Sequence, residues 1–220
     1  FSGLILPAII GLAIGGISGA VGCFVWAGLA RVVFVHHGTF LINSAAHIWG
    51  TQPYSEENSS RDSFWLAFLT FGEGYHNFHH TFQADYRNGH KWYHMDPSKW
   101  WIQSFKYLGL NSDLKSTPKH SIEIAKVNMR FKKRAYRLQQ RNVNIHRFED
   151  RLAKCKENLR TKMYEVQKAK REIKKMAKDS KMAMKNKISE LKDSIKIAKN
   201  DLRQLFKEMN TEYKQAKTAA

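Results

Sequence analysis

Gly3-Leu4-Ile5-Leu6-Pro7-Ala8-Ile9-Ile10-Gly11-Leu12-Ala13-Ile14-Gly15-Gly16-Ile17-Ser18-Gly19-Ala20-Val21-Gly22-Cys23-Phe24-Val25-Trp26 carries no charge at all, and from residue 3 to residue 35 the only charged side chain is Arg31. A run this apolar is unsuited to a helix on a water-facing surface, and it exceeds the ~20 residues that one bilayer crossing needs. The cluster Gly15-Gly16-Ile17-Ser18-Gly19 is a natural turn. The reading is a transmembrane helical hairpin. Leu4–Ile14 ends one span, and Ala20–Val35 forms the next. The second helix then leaves the lipid through His36, His37 and Asn43 to His47. A cleaved signal peptide fits poorly, because the stretch is too long, lacks a basic leader and runs into histidines.

Beyond the apolar run lies a cluster suited to metal chemistry, Gly72-Glu73-Gly74-Tyr75-His76-Asn77-Phe78-His79-His80. Residues three and four apart share a helical face, so His76, His79 and His80 are expected on one side. Burying three imidazoles as mere core is costly, since each brings polar nitrogens that need partners. A metal supplies those partners, and imidazole suits iron, zinc and copper. Asn43-Ser44-Ala45-Ala46-His47 repeats the four-residue spacing. There the amide can hold a metal-bound water, or the two side chains can simply form a hydrogen-bonded pair. Glu73 stands one turn before His76. It is expected either to accept a proton from a ligand imidazole or to sit at a helix N-terminus and interact with the dipole.

Taken in order, Asn43-Ser44-Ala45-Ala46-His47, Gln52-Pro53-Tyr54 and the 72–80 cluster resemble the C-terminal half of the acyl-CoA Δ9 (stearoyl-CoA-type) membrane fatty acid desaturases, over roughly residues 1–115. The resemblance implies two irons at the cytosolic ends of transmembrane helices, held by three histidine boxes and the Asn-x-x-x-His element. It implies that His47, His76 and His80 bind one iron, that Asn43 approaches it through a water, and that His79 reaches toward the other. Thr39 and Phe40 would line the acyl tunnel, Phe40 standing where relatives commonly carry Trp. The first two boxes do not occur in this sequence, and His36-His37 lacks their spacing. Together with Phe1 in place of Met, this fits a chain whose upstream part is missing and which would be inactive alone. The whole enzyme would use O2 to place a cis double bond in a saturated fatty acyl-CoA. Its electrons would come from a small ferredoxin, rubredoxin or cytochrome b5-type protein with a reductase. The rivals are another histidine-box di-iron oxidase (a hydroxylase or a lipid-linked desaturase) and a non-catalytic membrane anchor with a basic interaction tail.

The charge is unevenly placed. Residues 1–115 hold seven Lys/Arg and seven Asp/Glu, so the net +18 comes entirely from residues 116–220, with thirty basic and twelve acidic side chains. Two unlike domains are expected, a desaturase part over 1–115 and a basic helical extension over 116–220. Before the boundary, Asp96-Pro97 is a good helix start, and Gly109 would stop that helix. Its tryptophans and lysines suit either the membrane–water interface or packing on the cap. So do Leu66, Leu69 and Phe71, on or just after a helix expected over Phe64–Leu69.

The extension has no Gly or Pro after residue 118. A helix is expected near Ser121–Gln140, with a break at Asn142-Val143-Asn144. Apolar residues then recur in a three-four alternation at Ile145, Phe148, Leu152, Cys155, Leu159, Val166, Ala169, Ile173 and Met176, and again from Ile188 to Met209. The register slips by one through Lys178-Asp179-Ser180-Lys181, as a local defect or a hairpin. Three uses compete: coiled-coil self-association or an antiparallel fold-back, contact with anionic membrane lipid, and attraction of an acidic electron carrier. Nucleic acid is disfavoured, because aromatics are sparse in the tail. Cys23 and Cys155 form no spacing motif and read as small core residues. The fold class is all-α: hairpin, cytosolic di-iron cap, and a coiled-coil-like tail, with cap and tail on the cytoplasmic side of the membrane.

Overall fold

The structure, a computed structural model, describes residues 2–173 and 181–219. No β-strand occurs among the described residues, only isolated bridges from Asp62 to Thr51 and Tyr75. The chain forms two compact units. One comprises Phe1–Gln52 with Glu56–Lys115, the other Pro53–Ser55 with Ser116–Ala220. Pro53 and Tyr54, read with the desaturase motifs, thus cluster with the extension, where Lys126 lies over the Tyr54 ring at 5.6 Å.

Helix α1 (Ile5–Cys23) is interrupted at Gly15 and Gly16, and Gly16 has φ +60 and ψ −150. That backbone region is accessible to glycine alone. The chain turns back there, and the two arms meet glycine to glycine. A Cβ on Gly11 would fall 2.3 Å from the Gly19 carbonyl oxygen. Arg31 closes the open end, donating to the carbonyls of Gly3 (3.1 Å) and Ala27 (3.2 Å), so its donors are met by backbone. Ile14 and Ile17 at the tip are 84% and 81% exposed, as expected of a surface made for lipid. The stretch Ile5–Ile48 is long and apolar enough to cross a membrane.

The returning arm is π-helical over Phe24–Ala30 and α-helical again in α2 (Arg31–Asn43). Continuous helix to His47 was expected; instead Ser44 breaks it (φ −119, ψ −73) and α3 (Ala45–Ile48) restarts in a new direction. The Ser44 hydroxyl donates back to Phe40 O at 2.6 Å, sharing that carbonyl with its own N–H at 3.0 Å.

Short helices α4 (Phe64–Leu69), α5 (His76–Thr81) and α6 (Pro97–Tyr107) complete this unit. Leu66 is buried with Ala45 and Ala46, whereas Leu69 and Phe71 stay exposed. Helix α6 starts as its sequence predicts, with Asp96 accepting from Lys99 N, and Gly109 ends it at φ +73. Its Trp101 is 65% exposed.

The second unit holds α7 (Lys119–Gln139), α8 (His146–Ile173) and α9 (Lys181–Thr218). Helices α8 and α9 run antiparallel, since Arg147 pairs with Glu212 and Arg151 with Glu208. The alternation delivers its core: Phe148, Leu159, Ala198, Leu205 and Met209 are almost wholly buried, and Cys155 packs beside them. Helix α7 adds Val127, Phe131, Ala135 and Leu138 to that core. Of the tail uses left open, the chain thus shows the antiparallel fold-back. The slip at 178–180 and Met176 lie outside the described residues.

Candidate metal centre

His47 sits on α3, and His76 and His80 sit one turn apart on α5. The four-residue spacing aims both α5 rings the same way, and the break at Ser44 turns α3 so that His47 faces them. His76 Nε2 lies 3.1 Å from His47 Nε2 and 3.1 Å from His80 Nε2. The three rings can offer one nitrogen each within 4.8 Å of one another.

Long-range contacts hold both helices. Asp62 Oδ1 accepts from Phe78 N at 3.0 Å, capping α5 from fourteen positions before its first residue, and Asn77, fully buried, donates to Ser60 O at 3.0 Å. Arg61 N donates to Ala46 O at 2.8 Å, tying the loop to α3. His47 Nδ1 bonds Ser59 Oγ at 2.9 Å, which orients the ring. Gly74 lets this frame close, for a Cβ there would lie 2.0 Å from Ala67 N.

Hydrogen bonding alone does not satisfy the cluster. One Nε2 carries either a proton or a lone pair, so His76 Nε2 cannot be fully matched to two ring nitrogens at once. A cation shared by all three can do so. Metal–nitrogen bonds of ~2.1 Å at tetrahedral or octahedral angles put ligand nitrogens ~3.0–3.4 Å apart, and the His76–His47 and His76–His80 separations fall in that range. Burial, and then the neighbouring His80, His47 and His79, push the His76 pKa down to about 4; burial also lowers His80. Both rings are therefore neutral near pH 7, the form that binds a metal. The donor set fits iron, zinc or copper.

The remaining expected residues divide. His79, half-buried, stands outside the trio, its ring centroid 6.3 Å from His76 and 5.7 Å from His80. Of the three α5 histidines, His76 and His80 offer the converging nitrogens, while His79 stacks beside His76. Asn43 is exposed and donates its amide to Thr39 O at 3.2 Å. Thr39 bonds Val35 O, and Phe40, 63% exposed, meets His36 and His37 edge-on. Glu73 was expected at a ligand imidazole or at a helix start. It instead accepts from Asn88 Nδ2 at 2.6 Å, and α5 begins three residues after it. Ser59 and Asp62 belong to a polar run, residues 58–63, that the sequence marks as a helix start and not as partners of His47 and α5.

The region carrying this site matches the fatty acid desaturase family model over residues 1–109. These residues belong to the fatty acid desaturase family. The desaturase segment is 47% identical over 102 residues to a probable acyl-CoA desaturase of Schizosaccharomyces pombe, covering 46% of this chain and 21% of that protein. It is 46% identical over 113 residues to acyl-CoA desaturase 1 of Saccharomyces cerevisiae, 51% of this chain and 22% of the relative. An sn-1 stearoyl-lipid 9-desaturase of Synechocystis is 40% identical over 94 residues, 43% of this chain and 30% of that protein. The matches thus span about a fifth of the yeast relatives' length.

Proposed function

We propose that residues 1–115 are the C-terminal part of an O2-dependent di-iron acyl-CoA desaturase that introduces a cis double bond, at Δ9, into saturated acyl chains, and that 116–220 form a basic helical extension. The convergence of His47, His76 and His80 carries this reading. The acyl-CoA rather than lipid-linked substrate rests on the higher identity to the two yeast proteins.

In this proposal His47, His76 and His80 hold one iron, Asn43 meets it through a water, and His79 reaches toward the second. Three imidazoles leave coordination positions open, and in this proposal the first two histidine boxes of a longer enzyme would supply the further ligands. When bound, the iron pair supplies the oxidising power, drawn from O2, that an unactivated methylene demands. The protein's own part is positioning. Ser59 fixes the His47 ring, Asp62 and Asn77 fix α5, and burial keeps His76 neutral. Thr39 and Phe40, on the helix that leads to His47, would guide the acyl chain. The hairpin spans the membrane with the cap on the cytoplasmic side, where a small redox protein and its reductase deliver electrons.

The test is expression of the full-length protein in a desaturase-deficient host beside a His76→Ala variant. Two irons per chain and a new cis-monounsaturated fatty acid, both lost in the variant, are expected. An alcohol product would keep the metal and overturn the reaction; well-folded protein without iron would overturn both.

A further inference from the structure

The two grooves that α9 forms with its neighbours in the helical unit are charged differently. Against α8, Arg147 and Arg151 are each answered by a carboxylate, Glu212 and Glu208. Against α7, a cleft of about 330 Å³ is lined by Arg130, Arg134, Arg203, Phe206, Lys207 and Asn210, and it contains no acid. Among the described residues none of its four cations forms an ion pair. The adjoining hollow includes Glu123, whose carboxylate is taken by Lys126 at 3.4 Å, and one further cation, Lys199.

Arg134 shows how this charge is kept in place. Its guanidinium lies 4.7 Å from the centre of the buried Phe206 ring, and Nη1 donates to Arg130 O at 3.1 Å. Its Nε is buried without a partner. Burial and the neighbouring Arg130 and Arg137 all push its pKa down, so the surroundings add positive charge and offer no relief. An aromatic face and a backbone carbonyl thus fix a guanidinium whose remaining donors are uncommitted. Arg203, exposed, donates to Asn200 Oδ1 at 3.2 Å.

We propose that the α7–α9 cleft binds a phosphate-bearing group, a phosphomonoester or pyrophosphate such as a phospholipid headgroup or a soluble nucleotide presents. Three arginines and a lysine around one space exceed what a single carboxylate would neutralise, and guanidinium forks match phosphate oxygens in pairs. The volume is at the lower end of that of ligand pockets, more than a bare phosphate fills and suited to an ester. The site does not depend on the desaturase reading, since neither its residues nor its test involves the metal or turnover.

The experiment is equilibrium dialysis of the full-length protein, in phosphatidylcholine nanodiscs, against radiolabelled pyrophosphate. Saturable binding is expected, weakened about tenfold or more by Arg134→Gln with Arg203→Gln, which removes two charge-assisted contacts. Lys154→Gln with Lys214→Gln removes the same charge from exposed positions outside the cleft and should change it less than about twofold. Equal losses in the two double variants, or no saturable binding, would overturn the proposal. Circular dichroism checks the helices. If the Gln variant unfolds, Arg134→Lys with Arg203→Lys keeps the charge and loses the forks; several-fold weaker binding is expected, and unchanged binding overturns the site. Competition by vesicles of phosphatidylcholine with phosphatidic acid, against phosphatidylcholine alone, separates the sources. Displacement by the acidic vesicles alone identifies a headgroup, and none identifies a soluble phosphate ester.

Discussion

In two places this chain gathers like groups without a counter-charge, and they call for opposite partners. In the desaturase segment three imidazole nitrogens converge around His76, whose ring burial keeps neutral, and a shared cation would satisfy all three. In the helical extension guanidinium and ammonium groups line a cleft that holds no acid, and an anion would answer their charge. Burial separates the two cases. It strips the proton from an imidazole at little cost, but it cannot neutralise an arginine. Burial thus favours a neutral, metal-ready ring at His76 and leaves Arg134 charged beside the exposed Arg130, Arg203 and Lys207.

The largest effect should come from removing the central imidazole. His76→Ala is expected to abolish metal binding at the trio, read by metal analysis of the purified protein, while pyrophosphate binding by the extension persists. Loss of both would end the contrast. Next in size is the core under the cationic cleft. Leu205 is wholly buried between the helices, so Leu205→Ala should cost about 2–5 kcal/mol, read by hydrogen exchange of α7–α9 amides. An unchanged exchange pattern would mean that the antiparallel core is not what holds the cleft.

Ser59→Ala should weaken metal affinity by about 10–100-fold without removing a ligand, because His47 loses the partner that orients it. Competition with a metal chelator reads this, and full affinity would show that the ring is positioned by packing alone. The smallest effect concerns the paired groove. Arg151 holds the Glu208 carboxyl below its ordinary value near 4.5, so the pair's contribution is complete above that value and is lost as pH falls through the lower, folded one. Both groups are exposed, so acidification should lower the unfolding midpoint of the extension only slightly, and Glu208→Gln should flatten that slope.

Much of this was legible in the chain because it rests on local spacing. The four-residue interval of His76 and His80, the Gly15-Gly16 turn, the Asp96-Pro97 helix start and the three-four alternation of Phe148 to Leu159 need no distant partner to take effect. The expectation failed where one side chain had competing partners. Glu73 was given to an imidazole one turn away or to a helix start, yet Asn88, fifteen residues on, takes it. Continuous helix to His47 failed at Ser44, where φ −119 and ψ −73 depart from regular helix although the N–H still bonds Phe40 O.

Periodicity, capping and charge run along the chain, and so the sequence by itself determined an all-helical protein, an apolar hairpin, a histidine cap and a basic heptad tail. Only the tertiary structure decided that His47 meets His76, that Ser59 and Asp62 hold them, that α8 and α9 pair antiparallel, and that Arg134 and Arg203 share one cleft free of acid. Each of these joins residues from separate elements. Their meeting depends on how helices pack and where turns send the chain, which no short window of sequence contains.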